Sequence, residues 1–166
     1  IIALSVLLPL VAALGTVSIF NSRGFNGINT LLIALVALIP LLALFVDDKR
    51  ATVLLVWIAS ITLLLNFNLV SSYVWGWDIH RELFVSQEIL QTGRWDTGYA
   101  YNINSMLTYS TLSPLISLIS GIELVWVFKI IFPTLFSTVP VSIYYISSAV
   151  FNDKKISALA PLVFMF

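Results

Sequence analysis

Four stretches of this chain run for about a membrane's thickness with almost no charge: Ile1–Phe20, Thr30–Val46, Ala51–Val70 and Leu124–Val150. Lys129 is the one charged residue in all of them. A spanning helix takes about 20 mostly apolar residues. Lipid offers backbone groups no partners, so each run must be helical or belong to a closed barrel. Barrel strands alternate in polarity over about ten residues, and none of these runs does. A further apolar run begins at Ile156. The expectation is an all-α membrane protein, a multi-spanning helical bundle. Only 10% of residues are charged and 60% are hydrophobic, where soluble domains carry about 25% charge. The formal net charge of zero argues against nucleic acid as a partner, which would need a basic surface. Cysteine is absent, so a disulfide framework, a thiolate metal site and a cysteine nucleophile are excluded.

Ile1–Phe20 has no basic leader and no small-residue cleavage site, so it reads as a span and not as a signal peptide. The chain opens without methionine and closes on the apolar "ISALAPLVFMF". It reads as a piece of a longer polytopic protein. Three spans are expected within residues 1–70, a loop over 71–123, and over 124–166 a span, a short loop and the start of another span. Prolines 133 and 140 are expected to kink the Leu124–Val150 span. Asn66 and Asn68 are expected to make interhelical hydrogen bonds.

Orientation follows from the basic residues. Lys49–Arg50 and Lys154–Lys155 should both be cytoplasmic. That holds only if the apolar run Met106–Ser120, interrupted by Pro114, does not cross. The predicted localisation is the cell membrane, multi-pass, with loop 71–123 extracytoplasmic and carrying amphipathic juxtamembrane helices.

That loop opens with "VWGWDIHRELFVSQEILQTGRWD", residues 74–96, which holds four of the eight acidic residues, two of the eight basic ones and the single histidine. At 100° per residue, Ile79, Leu83, Val85, Ile89 and Leu90 gather on one arc of a helix. His80, Arg81, Gln87, Glu88 and Gln91 take the other, with Phe84 intruding. Gly93 is a natural C-terminal stop. Such a helix lies in the membrane surface. Asp78 and Glu82 fall on or beside the apolar arc, where desolvation and mutual repulsion would raise a carboxyl pKa. Two readings stay open. Asp78 caps the helix with Glu82 paired to Arg81 or Arg94, or the two carboxylates do chemistry with His80 beside them. Trp75, Trp77, Trp95, Tyr99, Tyr101 and Tyr109 read first as an interfacial aromatic belt and second as the wall of a sugar or lipid site. Lys129 is expected to snorkel to the headgroups or to meet a lipid phosphate, with Glu123 as its neighbour.

In order along the chain, "WDIHRE", "TGRW", "LSPLISLISG" and "FKIIFP" resemble the first outer loop of the GT-C glycosyltransferases. "YNINSMLTYSTLSPL" further resembles a group of archaeal membrane proteins of this type. The resemblance covers about residues 70–155. It departs from the pattern where Asp78 is followed by Ile79 and not by a second acid. It implies an integral membrane enzyme that moves a sugar from a polyprenyl-phosphate carrier to an acceptor. Asp78 would then be the catalytic aspartate, assisted by Glu82 and His80. Arg81, Arg94 and Lys129 would meet the phosphate, and Trp77 and Trp95 would contact the substrate. A divalent ion, Mg or Mn, would sit on Asp78 and Glu82, though oxygen-rich sites need more ligands than these. The membrane lipid and a polyprenyl-phosphate-linked sugar are the implied partners. Two alternatives are a non-catalytic subunit that docks a partner through its outer loop and a transporter module. The transporter is disfavoured because its class places charges inside the spans.

Overall fold

The computed structural model describes residues 7–15, 27–96, 98 and 102–165. Every regular element among them is helical: α1 (residues 7–15), α2 (Gly27–Phe45), α3 (Lys49–Asn68), α4 (Ile79–Thr92), a 3₁₀ turn (Asn102–Ser105), a π-turn (Thr108–Leu112), α5 (Ser113–Ser120), α6 (Leu124–Trp126), a second π-turn (Val127–Ile131), α7 (Phe132–Phe136), α8 (Val139–Phe151) and α9 (Lys154–Met165). The expected spans Thr30–Val46 and Ala51–Val70 correspond to α2 and α3. Of the 1–20 run only residues 7–15 lie within the described residues. Lys49–Asn68 and the stretch Leu124–Phe151 are long and apolar enough to cross a membrane. The chain divides into two compact units, Ile1–Val70 with Pro133–Phe166, and Ser71–Phe132. The second runs past the expected 71–123 loop because α6 and the second π-turn pack with it.

The first unit is built on a seam. Leu32, Val36, Ile39 and Ala43 of α2, spaced four, three and four residues apart, are buried with Leu55, Ile58 and Ala59 of α3 and with Leu8 and Ala12 of α1. The outer side of α2 is just as apolar, with Leu31, Ile33, Leu35, Leu38, Leu42 and Phe45 exposed. The polar residues buried in this unit are small: Thr52, Ser60, Thr62, Ser137, Ser147 and Ser157. Trp57 Nε1 donates to Ser137 Oγ at 3.0 Å. Asn66 Nδ2 donates to Asn29 Oδ1 at 2.6 Å, the interhelical bond expected of it. Asn68 departs from expectation and donates to Leu64 O of its own helix at 2.8 Å, a local side-chain bond one turn back that competes with an interhelical one.

Aspartates start two helices of this unit. Asp48 Oδ1 accepts from the Arg50 N–H at 3.0 Å. Asp153 Oδ1 accepts from the N–H groups of Lys155 and Ile156 at 2.8 and 3.0 Å, so α9 begins at Lys154 and not at Ile156. The two basic loops meet: Lys154 Nζ lies 2.5 Å from Asp47 Oδ1, and Lys49 Nζ sits 5.4 Å from the Tyr145 ring centre. Lys154 holds the exposed Asp47 carboxyl below the ordinary range.

Neither Pro114 nor Pro133 breaks its helix. Each sits two residues beyond a π-turn. A proline ring clashes with the carbonyl four residues back, and a wider turn relieves the clash by shifting the pairing. The Phe132 N–H accordingly reaches Val127 O, five residues back. Pro140 follows a turn at residues 137–138, where Ser137 and Thr138 donate to Pro133 O and Leu135 O.

Candidate functional site around helix α4

Lys129 holds the approach to α4 in place. Its ammonium is enclosed by protein: the residue is 1% exposed. It donates to the backbone carbonyls of Ser71 and of Tyr73, the latter at 3.1 Å, and lies 5.8 Å from the Trp126 ring centre. The snorkelling expectation therefore gives way to burial, since two carbonyls of the incoming stretch of chain replace water. A few residues on, Gly76 takes φ 137°, and a Cβ there would come within 3.3 Å of Ile79 Cγ2. The chain thus turns sharply into Trp77 and Asp78.

Helix α4 spans Ile79–Thr92 and stops at Gly93 in the left-handed conformation, whose N–H bonds Ile89 O. Both ends agree with the periodicity. Ile79, Leu83 and Leu90 pack against buried Val74, Leu124 and Phe128. Gln87, His80 and Arg81 are exposed. Beneath the helix lies a serine cluster that periodicity passes over. Ser86 Oγ is 2.7 Å from Glu82 O and 2.5 Å from Tyr109 O. It accepts from Ser113 Oγ at 2.9 Å, and Ser113 Oγ also bonds Tyr109 O. A serine can pack helices closely or face water, and its spacing alone does not say which.

The capping reading of Asp78 fails. Asp78 precedes the helix with a helical backbone, and its carbonyl accepts from the Arg81 and Glu82 N–H groups. Its side chain makes no cap bond. The carboxylate is exposed and has neither hydrogen bond nor ion pair among the described residues. No ion pair joins Glu82 to Arg81 or Arg94 among them either. Glu82 is half-buried. Burial pushes its carboxyl up, and the charge of Asp78 adds to the effect. Burial likewise pushes up the Tyr109 phenol, with Glu82's charge adding. Asp78, Glu82 and Tyr109 thus form one electrostatic neighbourhood. The Tyr109 ring is set by Phe128, stacked at 5.9 Å, and by Phe132, edge-on at 5.2 Å. The sequence places Tyr109 only in the aromatic belt; its link to Glu82 comes from a fold-back over 27 residues.

The remaining expected residues scatter. His80 is two positions from both Asp78 and Glu82, a spacing that does not bring side chains together on a helix. Trp77 is 96% exposed. Arg94 and Trp95 lie beyond the far end of α4, where they line a cavity of about 530 Å³ with Phe84, Val85, Glu88, Ile89, Thr92, Asp96 and Asn104. Among the described residues no three His, Cys, Asp or Glu side chains group as metal ligands. Asp78 and Glu82 by themselves do not fit a Mg or Mn centre, which takes near-octahedral oxygen ligation.

Helix α5 is polar inside and apolar outside, the reverse of α4. In α5, Ser113, Pro114 and Ser117 are buried, while Leu118 and Ile119 are 68% and 78% exposed. Compared with known proteins, the chain matches no family model, no curated protein and no solved structure.

Proposed function

We propose that this chain belongs to an integral membrane glycosyltransferase that moves a sugar from a polyprenyl-phosphate carrier to an acceptor at the outer face. The observation that carries the reading is the uncommitted Asp78 carboxylate at the head of an amphipathic helix, one turn from a half-buried Glu82. Apolar exposed faces over small buried polar residues support placement in lipid, where helices pack through such residues. The meeting of Asp47 with Lys154 supports putting both basic loops on one side. The positive-inside rule makes that side cytoplasmic and leaves residues 71–123 outside, with α5 in the interface.

In the reaction, the acceptor hydroxyl oxygen bonds to the anomeric carbon while that carbon's bond to the phosphate oxygen breaks. The hydroxyl proton passes to Asp78. The polyprenyl phosphate leaves with the bonding pair, toward the exposed guanidinium of Arg81, while Arg94 stands apart beyond the far end of α4. Glu82 and Tyr109 order the acceptor beside Asp78. His80 has no step here, and Lys129 acts through the backbone it holds.

Membranes containing the full-length protein should transfer labelled hexose from polyprenyl-phosphate mannose or glucose, and Asp78→Asn should stop the transfer at unchanged protein abundance. Full activity in Asp78→Asn would remove Asp78 as the base.

A further inference from the structure

The cavity at the C-terminal end of α4 is separate from the carboxylates at its start, and its walls have their own chemistry. Its lining combines apolar Phe84, Val85 and Ile89 with charged Glu88, Arg94 and Asp96 and the indole of Trp95. The indole is fixed, not loose. Its Nε1 donates to Asn104 O at 3.1 Å and to Asn104 Oδ1 at 2.8 Å. Asn104 is 5% exposed, and its Nδ2 donates to Asp96 O at 2.6 Å. Ser110 Oγ adds a 3.3 Å contact to Asn104 O. With its polar edge tied inward, Trp95 remains 45% exposed. Neither Glu88 nor Arg94 forms an ion pair among the described residues, so their charges remain available to a ligand, while Asp96 Oδ1 already accepts from the Gly98 N–H at 2.8 Å.

We infer that this cavity binds a pyranose ring of a neutral glycan. A pyranose has an apolar C–H face, which suits an immobilised aromatic ring, and a rim of hydroxyls, which suits carboxylates and a guanidinium arranged around it. The volume falls within the roughly 300–1,000 Å³ of small-molecule clefts. A phosphate would meet two carboxylates and a single cation, a poor balance for an anion. The glycan is the acceptor: Glu82, Val85 and Ile89 share one stripe of α4 at three- and seven-residue spacing, so a chain seated in the cavity extends toward Asp78. That last assignment rests on the glycosyltransferase reading, whereas glycan binding stands without it.

Saturation-transfer NMR on the full-length protein in detergent, with methyl α-mannopyranoside, methyl β-glucopyranoside and maltose as probes and no donor present, separates the two. Transfer should reach the ring C–H protons of at least one glycoside and disappear in Trp95→Ala. Glu88→Gln, a surface change that leaves folding intact, should weaken that binding about tenfold, the loss of one charged hydrogen bond. Binding to none of the three, binding unaffected by both variants, or binding of inorganic phosphate that depends on Arg94 would each overturn the inference. Glycoside binding by a protein that transfers no sugar would instead sink the transferase reading and leave this site standing.

Discussion

The two compact units treat polar groups in opposite ways. In the first, the charges of the described residues lie at helix ends and in the short loops between them, and most are engaged there. Asp48 and Asp153 begin helices, Asp47 meets Lys154 and Lys49 covers Tyr145. In the second, Asp78, Glu82, Glu88 and Arg94 all lack ion pairs among the described residues, while the buried Lys129 ammonium is spent on backbone carbonyls and Asp96 accepts from the Gly98 N–H. Charges that hold a fold together find partners within it. Charges left without partners are available to something else, and that asymmetry is the physical ground for looking for function in Ser71–Phe132.

The largest effect is all-or-none. The chain has no cysteine, so single cysteines at positions 49 and 96 report sidedness cleanly. A membrane-impermeant maleimide should label position 96 from outside and leave position 49 untouched. Labelling at 49 alone would invert the topology.

Making the same substitution in each unit tests the asymmetry directly. Asp78→Asn should lower sugar transfer by about 100- to 10,000-fold, the usual loss of a general base. Asp47→Asn should leave the rate unchanged, because a solvent-exposed ion pair contributes little. Equal rates in the two variants would erase the distinction.

Smaller effects concern stability. Lys129→Met removes the charged donor to the Ser71 and Tyr73 carbonyls, at a cost of about 1.5–3 kcal/mol. Asn66→Ala removes one interhelical hydrogen bond, worth about 0.6 kcal/mol. Unfolding by SDS titration in mixed micelles should rank them in that order, and a reversed ranking would mean that the ammonium is dispensable. The smallest effect is a slope. Glu82's folded carboxyl binds its proton more tightly than the unfolded chain does, since burial raises it above the ordinary 4.5. Its contribution is whole below that value and is lost as pH climbs through the raised one. Glu82→Gln cannot titrate, so its unfolding midpoint should vary less with pH across that window than the parent's.

Much of the first unit is legible in the sequence, because the apolar runs speak locally. Helix α4 is legible for the same reason, from its apolar arc and Gly93. Three features are not. Lys129 has two outlets, outward along its stem or inward to carbonyls, and only the path of residues 71–73 decides between them. Ser86 and Ser113 look alike whether they face protein or lipid. The cavity depends on Trp95 meeting Asn104 nine residues away, across a segment with no periodicity to read.

The paired π-turns have a consequence for how this chain can vary. A turn closed five residues back accommodates one residue more than an α-helical turn, so the helix after it is out of phase by about 100° with the helix before it. Tyr109 can therefore face Phe128 while Ser113 still lies beneath Ser86. Each proline then keeps the slip from healing, because regular pairing would drive its ring into a carbonyl. The relative aim of the two sides is thus set by the residue count of the joint and not by the sequence on either side. Remove Pro114 and a residue of the π-turn together, and a straight helix should form that can satisfy the aromatic side or the serine side but not both.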